Sequence, residues 1–148
     1  MSTQTDTLDR LDSGSRVVVI RLRSLGDCVL STPAIHLLKQ ARPDIEIAVV
    51  VEDRFAQIFE NHPDVGRILP PRASAIRDFK PALCLNLHGG TRSARLTLLS
   101  SARFRAGSDI FQHPTGVHRP GVAATVWRVF IRANGPASGL FQNGHGWR

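Results

Sequence analysis

The sequence predicts an α/β fold with a parallel sheet, and two observations lead to this class. Short runs rich in Val, Ile and Leu alternate with segments of helical periodicity, which is typical of βαβ units with right-handed crossovers. These runs carry few polar residues, as expected for strands that helices cover on both faces. The strands that we expect lie at residues 17–22, 45–51, 67–69, 82–87 and 103–106.

The first predicted helix follows a short loop at residues 23–27. Thr32 and Pro33 are suited to be its N-cap and first residue, although the turn before them can also be helical. The sequence Arg42-Pro43-Asp44 ends this helix, because a residue that precedes proline disfavours helical backbone. The apolar residues that we expect on its buried face are Leu30, Ala34, Leu37, Leu38 and Ala41.

Three further helical segments connect the later strands. Residues 53–61 have the pattern of a short amphipathic helix, and residues 73–79 that of a helical turn. A third helix is expected at residues 92–102, after a Gly-Gly-Thr sequence. Each segment therefore lies between two predicted strands, as the βαβ arrangement requires.

The chain divides into three parts by composition. Residues 1–15 are polar and are expected to be a flexible leader, and residues 16–107 carry the strand–helix alternation of one domain. From Gly107 onward the chain holds 7 of its 12 glycines, and the alternation stops. Residues 108–148 are therefore expected to be irregular.

Composition indicates a globular protein of 148 residues, with 42% hydrophobic and 21% charged residues. The longest aliphatic run, residues 47–51, is far shorter than the roughly 20 residues of a spanning helix. The N-terminus has no apolar segment of the secretory kind. Cys28 and Cys84 show no disulfide or metal spacing, so we expect buried structural thiols in a reducing cytoplasm.

The net charge of +7 is unevenly distributed. Residues 1–78 hold 10 basic and 11 acidic residues, whereas residues 79–148 hold 9 basic residues and only Asp109. A basic half is compatible with a phosphate-rich partner, or with arginines that are simply solvated. The chain has no Tyr and no nucleic-acid-binding signature, so we expect no nucleic acid partner.

Two loops are expected at the carboxyl ends of neighbouring strands, where open α/β sheets bind ligands. The first, RLRSLGD at residues 21–27, places Gly26 and Asp27 at a strand-to-helix junction. Asp27 can cap the helix or act as a general base toward a hydroxyl in the crevice, and the spacing alone favours the cap. The loop has neither the dinucleotide-binding fingerprint nor a Walker A motif.

The second loop is HGGTRSAR at residues 88–95. Its glycines and Thr91 open a helix whose free N–H groups can bind an anion, and Arg92 and Arg95 lie on one helix face. The alternative is a Gly-Gly turn with a threonine N-cap and two solvated arginines. Residue types and spacing leave these two interpretations equally open.

Several of these segments together resemble the opening of a glycosyltransferase family 9 protein, the family of ADP-heptose:lipopolysaccharide heptosyltransferases. The matching elements are the first strand with RLRSLGD, the TPA sequence at residues 32–34, and the ARPD sequence that closes the helix. VVVEDRFAQIFENHPDV and NLHGGTRSARLTLLSSARFRAG also match, and the resemblance covers about residues 17–107.

The resemblance implies that the chain is the N-terminal half of a GT-B fold, in which two Rossmann-like domains face each other across a cleft. The first domain then holds the acceptor and a second domain holds the nucleotide-sugar donor, such as ADP-heptose. The acceptor would be an anionic lipopolysaccharide core, and the protein a cytoplasmic one with peripheral contact at the inner membrane.

The resemblance also implies an inverting glycosyltransferase that uses neither a cofactor nor a bound metal. Asp27 corresponds to the proposed catalytic base of the family, which shifts our expectation for this residue from the cap to the base. The residues that we expect to bind the acceptor are Arg23, Ser24, Gly26, Gly89, Gly90, Thr91 and Arg92. Arg23 departs from the family, because many members carry a small polar residue there.

The remaining departures concern length, since family members are longer and continue into the donor-binding domain. We expect a truncated copy, with residues 108–148 translated out of register and unlike the family. Two alternatives stay open. The chain can be a non-catalytic module that recognises an anionic sugar or nucleotide through residues 89–90, or a non-functional remnant.

Overall fold

The computed structural model describes residues 7–107, which form a five-stranded, fully parallel sheet. Its strands are β1 (Arg16–Ile20), β2 (Glu46–Val50), β3 (Arg67–Leu69), β4 (Leu83–Asn86) and β5 (Phe104–Gly107). They are arranged in the order β3-β2-β1-β4-β5. The predicted α/β class with a Rossmann-like parallel sheet is confirmed. The expected irregular tail at residues 108–148 lies outside the described residues.

Four α-helices connect the strands: α1 (Leu25–Ala41), α2 (Gln57–Glu60), α3 (Ala73–Phe79) and α4 (Thr91–Leu98). A 3₁₀ turn at Asp53–Phe55 precedes α2, so the helix expected over residues 53–61 is divided into two short pieces. In the part of the chain that the structure describes, no helix has the length and hydropathy of a membrane-spanning segment.

The start of α1 corrects one prediction, because the helix begins at Leu25 with Ser24 as its N-cap. Thr32 and Pro33 therefore lie inside the helix, and the N-cap expected at Thr32 is wrong. Pro33 has no N–H to donate to the carbonyl of Val29, four residues before it. The Thr32 hydroxyl donates to that carbonyl instead, at 2.8 Å, and this bond explains how the helix tolerates the proline.

The buried face of α1 also differs from the prediction. Its buried residues are Cys28, Ser31, Ile35 and Leu38, whereas Leu30 is 77% exposed. The predicted face is thus rotated by about 100°, the angle that one residue adds to a helix of 3.6 residues per turn. The buried face includes the small residues Cys28 and Ser31, so side-chain size was a poor guide to burial.

Two hydrophobic cores cover the two faces of the sheet. Val17 and Val19 of β1 point to the face packed by α1 and α2, and Val18 and Ile20 point to the face packed by α3 and α4. This alternation is the two-residue period of a strand. Cys28 and Cys84 are free and buried, one in each core, which confirms the expectation of structural thiols.

Residues 7–11 pack against the sheet, whereas the sequence predicted a flexible leader over residues 1–15, of which the structure describes residues 7–15. A 3₁₀ helix at Thr7–Arg10 carries Leu8, and both Leu8 and Leu11 are buried in the α1 core. The guanidinium of Arg42 donates to the carbonyls of Leu8 and Leu11. Two leucines three residues apart therefore anchor a segment whose overall composition is polar.

Candidate functional site

The two loops singled out in the sequence meet at the carboxyl edge of the sheet. β1 and β4 are parallel neighbours, with Ile20 opposite Asn86. The chain adds β2 and β3 on one side of β1 and then β4 and β5 on the other, so the order of strand addition reverses between β1 and β4. In open α/β sheets this reversal leaves a crevice in which ligands bind. The structure therefore brings residues 21–27 and residues 87–92 to one place.

Asp27 lies in the first turn of α1, and its side chain is 48% exposed. Its Oδ1 lies 2.8 Å from Nη2 of Arg21, and its Oδ2 accepts a hydrogen bond from the Ser24 hydroxyl at 3.1 Å. The Ser24 hydroxyl bond and the charge of Arg21 hold the pKa of Asp27 below its ordinary value. The side chain is consequently an ionised carboxylate at neutral pH.

These contacts join the two roles that the sequence left open for Asp27. The carboxylate is bonded to the N-cap residue, as a residue that stabilises a helix start would be. A carboxylate has about four lone-pair sites, so bonds to Ser24 and Arg21 leave acceptor capacity on the exposed side. The residue can therefore stabilise the helix start and still accept a proton from a ligand hydroxyl.

Arg21 is the first residue of the RLRSLGD loop, and sequence reasoning gave it no role in the site. It is the first residue after β1, its side chain is only 16% exposed, and Nη1 donates to the carbonyl of Leu87 in the second loop. One guanidinium thus connects the loop after β4 to Asp27. Its position directly after a buried strand was the signal that could have found it, because that position faces the carboxyl edge.

His88 is the first residue of the HGGTRSAR loop, to which sequence reasoning also gave no role, and it lies near the charges of Arg21, Arg23 and Asp27. Burial lowers the pKa of His88, and the positive charges of Arg21 and Arg23 lower it further. The imidazole is therefore neutral at pH 7, with one nitrogen able to donate and the other able to accept a hydrogen bond.

Glu52 adds a third loop to the same edge, since it follows β2 and its N–H donates to the carbonyl of Leu22 at 3.1 Å. Its carboxylate lies 2.9 Å from Nη2 of Arg54 and 3.1 Å from Nη1 of Arg92. The hydrogen bond from Arg54 is the main cause that lowers the pKa of Glu52. Arg92, expected as an anion ligand, is thus already paired with a carboxylate.

The second loop is shaped by buried polar side chains. The amide of Asn86 bonds to the Ser93 hydroxyl at 3.3 Å and accepts from the N–H of His88 at 3.0 Å. Ser93 in turn lies within hydrogen-bond distance of the carbonyls of His88 and Gly90. Gly90 has φ of 121°, a backbone conformation that favours glycine.

The predicted site residues divide between these two loops. Arg23, Ser24, Gly26 and Asp27 are exposed in the first loop and first turn of α1, and Gly89, Gly90, Thr91 and Arg92 are exposed in the second. Gly90 is the N-cap of α4 and Thr91 its first residue, so a threonine N-cap is wrong. Among residues 7–107, no cluster of three or more His, Cys, Asp or Glu side chains could hold a metal ion.

Comparisons with known proteins give relatives of one kind, although no family model matches the chain. The chain is 37% identical to lipopolysaccharide heptosyltransferase 1 of Pseudomonas aeruginosa over 125 residues, which are 84% of this chain and 32% of that protein. It is 39% identical to the Escherichia coli K12 protein of the same name over 67 residues, 45% of this chain and 20% of that one. The chain thus spans less than a third of the length of these curated relatives.

The Pseudomonas match bears on the tail. A match of 125 residues cannot fit within residues 1–107, so it continues into residues 108–148. The expectation that nothing beyond Gly107 resembles the family is therefore wrong, and a tail translated out of register has no support from this alignment.

Solved structures agree on the fold. A glycosyltransferase family 9 protein from Veillonella parvula has a TM-score of 0.59 at 24% identity, covering 66% of this chain and 33% of that one. The E. coli heptosyltransferase WaaC with ADP also has a TM-score of 0.59, at 23% identity, covering 81% of this chain and 47% of that one. The resemblance to glycosyltransferase family 9 is confirmed, and the chain shares its α/β fold with part of the longer chains of that family.

Proposed function

We propose that the chain is the acceptor-side part of an inverting glycosyltransferase that moves a sugar from a nucleotide-sugar, such as ADP-heptose, to a lipopolysaccharide core. The observation that carries this proposal is the position of Asp27, an exposed carboxylate that Arg21 and Ser24 hold at the reversal point of the sheet. The names of the sequence relatives and the ADP in one structural neighbour support the choice of substrates.

Asp27 would act as general base in a single displacement. The acceptor hydroxyl loses its proton to a carboxylate oxygen of Asp27 while its oxygen bonds to the anomeric carbon of the donor. The bond from that carbon to the nucleotide diphosphate breaks on the opposite side, so the configuration inverts. Because a carboxylate is a far weaker base than an alkoxide, proton transfer would accompany bond formation rather than precede it.

The other predicted residues would bind the acceptor around this carboxylate. Arg23 and Arg92 are exposed cations that can contact an anionic sugar, and arginine is suited to bidentate contact with carboxylate or phosphate. Ser24, Gly26, Gly89, Gly90 and Thr91 offer hydroxyl and backbone groups at the same edge. We place this work at the cytoplasmic surface of the inner membrane, as peripheral rather than spanning contact, with no cofactor.

The test is sugar transfer by the full chain supplemented with the donor-binding part of the Pseudomonas relative. Asp27→Asn keeps the shape of the side chain and removes its basicity, so we expect transfer to fall about 10²–10⁴-fold. Asp53→Asn is the matched control, since Asp53 is an exposed carboxylate of a neighbouring loop, and it should leave transfer unchanged.

A non-catalytic binding module is the second candidate, and the exposed Gly89-Gly90 loop favours it. This function requires that a nucleotide-sugar or an anionic sugar binds the chain equally well with Asp27 or Asn at position 27. If the supplemented wild-type chain shows no transfer but retains such binding, the enzymatic proposal is wrong and the binding module replaces it.

A further inference from the structure

The imidazole of His88 lies between the two loops of the Asp27 site, and the proposed reaction leaves it without a role. It lies near the charges of Arg21, Arg23 and Asp27, and its ring hydrogen-bonds to the backbone of Arg23. Burial lowers the pKa of His88, whereas this bond raises it by favouring the protonated ring. A ring nitrogen therefore donates and the Arg23 carbonyl accepts. The ring thus joins the loop after β4 to the loop after β1.

The backbone that carries this ring is fixed on both sides. The N–H of His88 donates to Oδ1 of Asn86 at 3.0 Å, and its carbonyl accepts from the Ser93 hydroxyl at 2.7 Å. Asn86, in β4, and Ser93, in α4, are both buried. Buried polar groups are costly to leave without their hydrogen bonds, so these two contacts are persistent. The imidazole therefore extends from a rigid support.

The loop that receives this bond has few other backbone contacts. The carbonyl of Leu22 accepts from the N–H of Glu52 at 3.1 Å, which fixes the loop one residue before Arg23. Within residues 7–107, the backbone of Arg23 has no hydrogen-bond partner other than the His88 ring. The contact with His88 therefore determines where the chain lies immediately before α1.

Arg23 precedes Ser24, the N-cap of α1, whose hydroxyl donates to Oδ2 of Asp27 at 3.1 Å. This hydrogen bond is the largest cause that lowers the pKa of Asp27. Hydrogen bonds weaken steeply away from their preferred distance and angle, so the position of Ser24 decides whether this bond forms.

We propose that His88 is a positioning residue, which holds the Arg23 carbonyl so that the Ser24 hydroxyl stays on the Asp27 carboxylate. It acts through Ser24 and not by contact with the reacting atoms. Its consequence for sugar transfer rests on the proposed function, whereas its effect on the Asp27 carboxylate does not.

The test follows the pKa of Asp27 in the full chain by side-chain ¹³C NMR. His88→Phe keeps a planar ring but removes the donor, so the Ser24 bond should loosen and the pKa of Asp27 should rise toward its ordinary value. His88→Asn and His88→Gln each place an amide N–H near the position of one ring nitrogen, so at least one of them should retain the wild-type pKa. Loss of the imidazole charge in acid is the competing cause, and all three variants lose it equally. A rise of the same size in all three, or no rise in His88→Phe, overturns the proposal.

A double-mutant cycle tests whether the effect passes through Ser24. In a Ser24→Ala background the hydroxyl is already absent, so adding His88→Phe should raise the pKa of Asp27 no further. An effect of His88→Phe that adds in full to that of Ser24→Ala overturns the proposal. His36→Phe is the control, because His36 is an exposed histidine of α1 that contacts Asp64 at 2.7 Å, and it should leave the pKa of Asp27 unchanged. Matching thermal melts confirm that each variant folds.

Sugar transfer in the supplemented assay separates this inference from the proposed function. His88→Phe should lower kcat about 10-fold to 10²-fold and change KM less than about twofold, since the base is misplaced while the acceptor contacts remain. If Asp27→Asn leaves transfer unchanged while the pKa results hold, the proposed function is wrong and the positioning role of His88 stands. If Asp27→Asn abolishes transfer and His88→Phe transfers at the wild-type rate, the positioning role is overturned.

Discussion

Replacement of Gly107 by alanine tests the contact between the last strand and the second loop. A Cβ at position 107 would lie 2.5 Å from the Cβ of Asn86 and 2.8 Å from its carbonyl oxygen, in the pairing of β4 with β5. Both neighbours belong to one residue of a central strand, so neither can move aside as a flexible side chain would. Overpacking of this kind costs about 1–3 kcal/mol.

The consequence is measurable in thermal unfolding. For a folded region of about 100 residues, each kcal/mol lowers the melting temperature by roughly 4–8 °C, so Gly107→Ala should melt about 5–20 °C below the wild type. Asn86 also accepts a hydrogen bond from the N–H of His88 and donates one to the hydroxyl of Ser93. We therefore expect faster amide hydrogen exchange in the loop after β4 as well.

Gly66→Ala is the matched control for this substitution. A Cβ there would lie 3.4 Å from Cγ of Glu46, an ordinary contact with a flexible side chain. Gly66→Ala should melt at or near the wild-type temperature. If Gly107→Ala also melts at the wild-type temperature, or if the two variants lose equal stability, the proposed clash with Asn86 is refuted.

Two predictions concern ionisable side chains. Arg21→Met removes the cation 2.8 Å from Asp27, so the pKa of Asp27 should rise toward its ordinary value in a side-chain ¹³C NMR titration, whereas Arg54→Met should leave it unchanged. Asp44 has its pKa lowered chiefly by a hydrogen bond from Arg42. Its stabilising contribution is present above the unfolded pKa of about 3.9 and is lost as pH falls, so Asp44→Asn should flatten the acid decline of the melting temperature.

Each of these has an outcome that contradicts it. If the pKa of Asp27 is the same in the wild type and in Arg21→Met, the charge of Arg21 does not lower the pKa of Asp27, and the prediction is wrong. An acid decline of the same steepness in the wild type and in Asp44→Asn would assign acid unfolding to other carboxylates.

The strands could be predicted from the sequence because both of their faces are buried. Residues 67–69 match β3 and residues 73–79 match α3 without error, and the other strands differ by one or two residues at their ends. A strand that is apolar on both faces has no single buried face to predict, so its side chains cannot be assigned to the wrong side of the sheet.

The orientation of α1 could not be predicted, because for an amphipathic helix one must predict which face is buried. The helix has hydrophobic residues on several sides, and Leu25, Val29 and Leu30 are all exposed at its beginning. The buried side carries two small residues, Cys28 and Ser31, beside Ile35 and Leu38, and it is fixed by packing of the whole helix against the sheet. That packing is a property of the folded structure and leaves no signal in a count of apolar residues.

The sequence indicated the two candidate loops by their unusual composition, and it gave no role to single residues that follow a strand. The motifs RLRSLGD and HGGTRSAR pointed to the loops that hold Arg21 and His88, whereas Glu52, two residues beyond β2, belongs to neither motif. Their proximity depends on strand order, since β1 lies between β2 and β4. Strand order is a long-range property that local patterns do not contain.

Arg21 sets the physical terms under which Asp27 can work. It orients the carboxylate by contact with Oδ1 and ties it to the loop after β4, but the same charge lowers the pKa and weakens the base. The contact with Arg21 that orients the Asp27 carboxylate therefore also lowers its basicity. A ligand anion that draws the guanidinium away from Asp27 would raise its pKa, so binding at this edge would itself strengthen the base. If Asp27 is the base that we propose, the largely buried Arg21 would make proton acceptance depend on ligand binding, which a carboxylate in open solvent could not do.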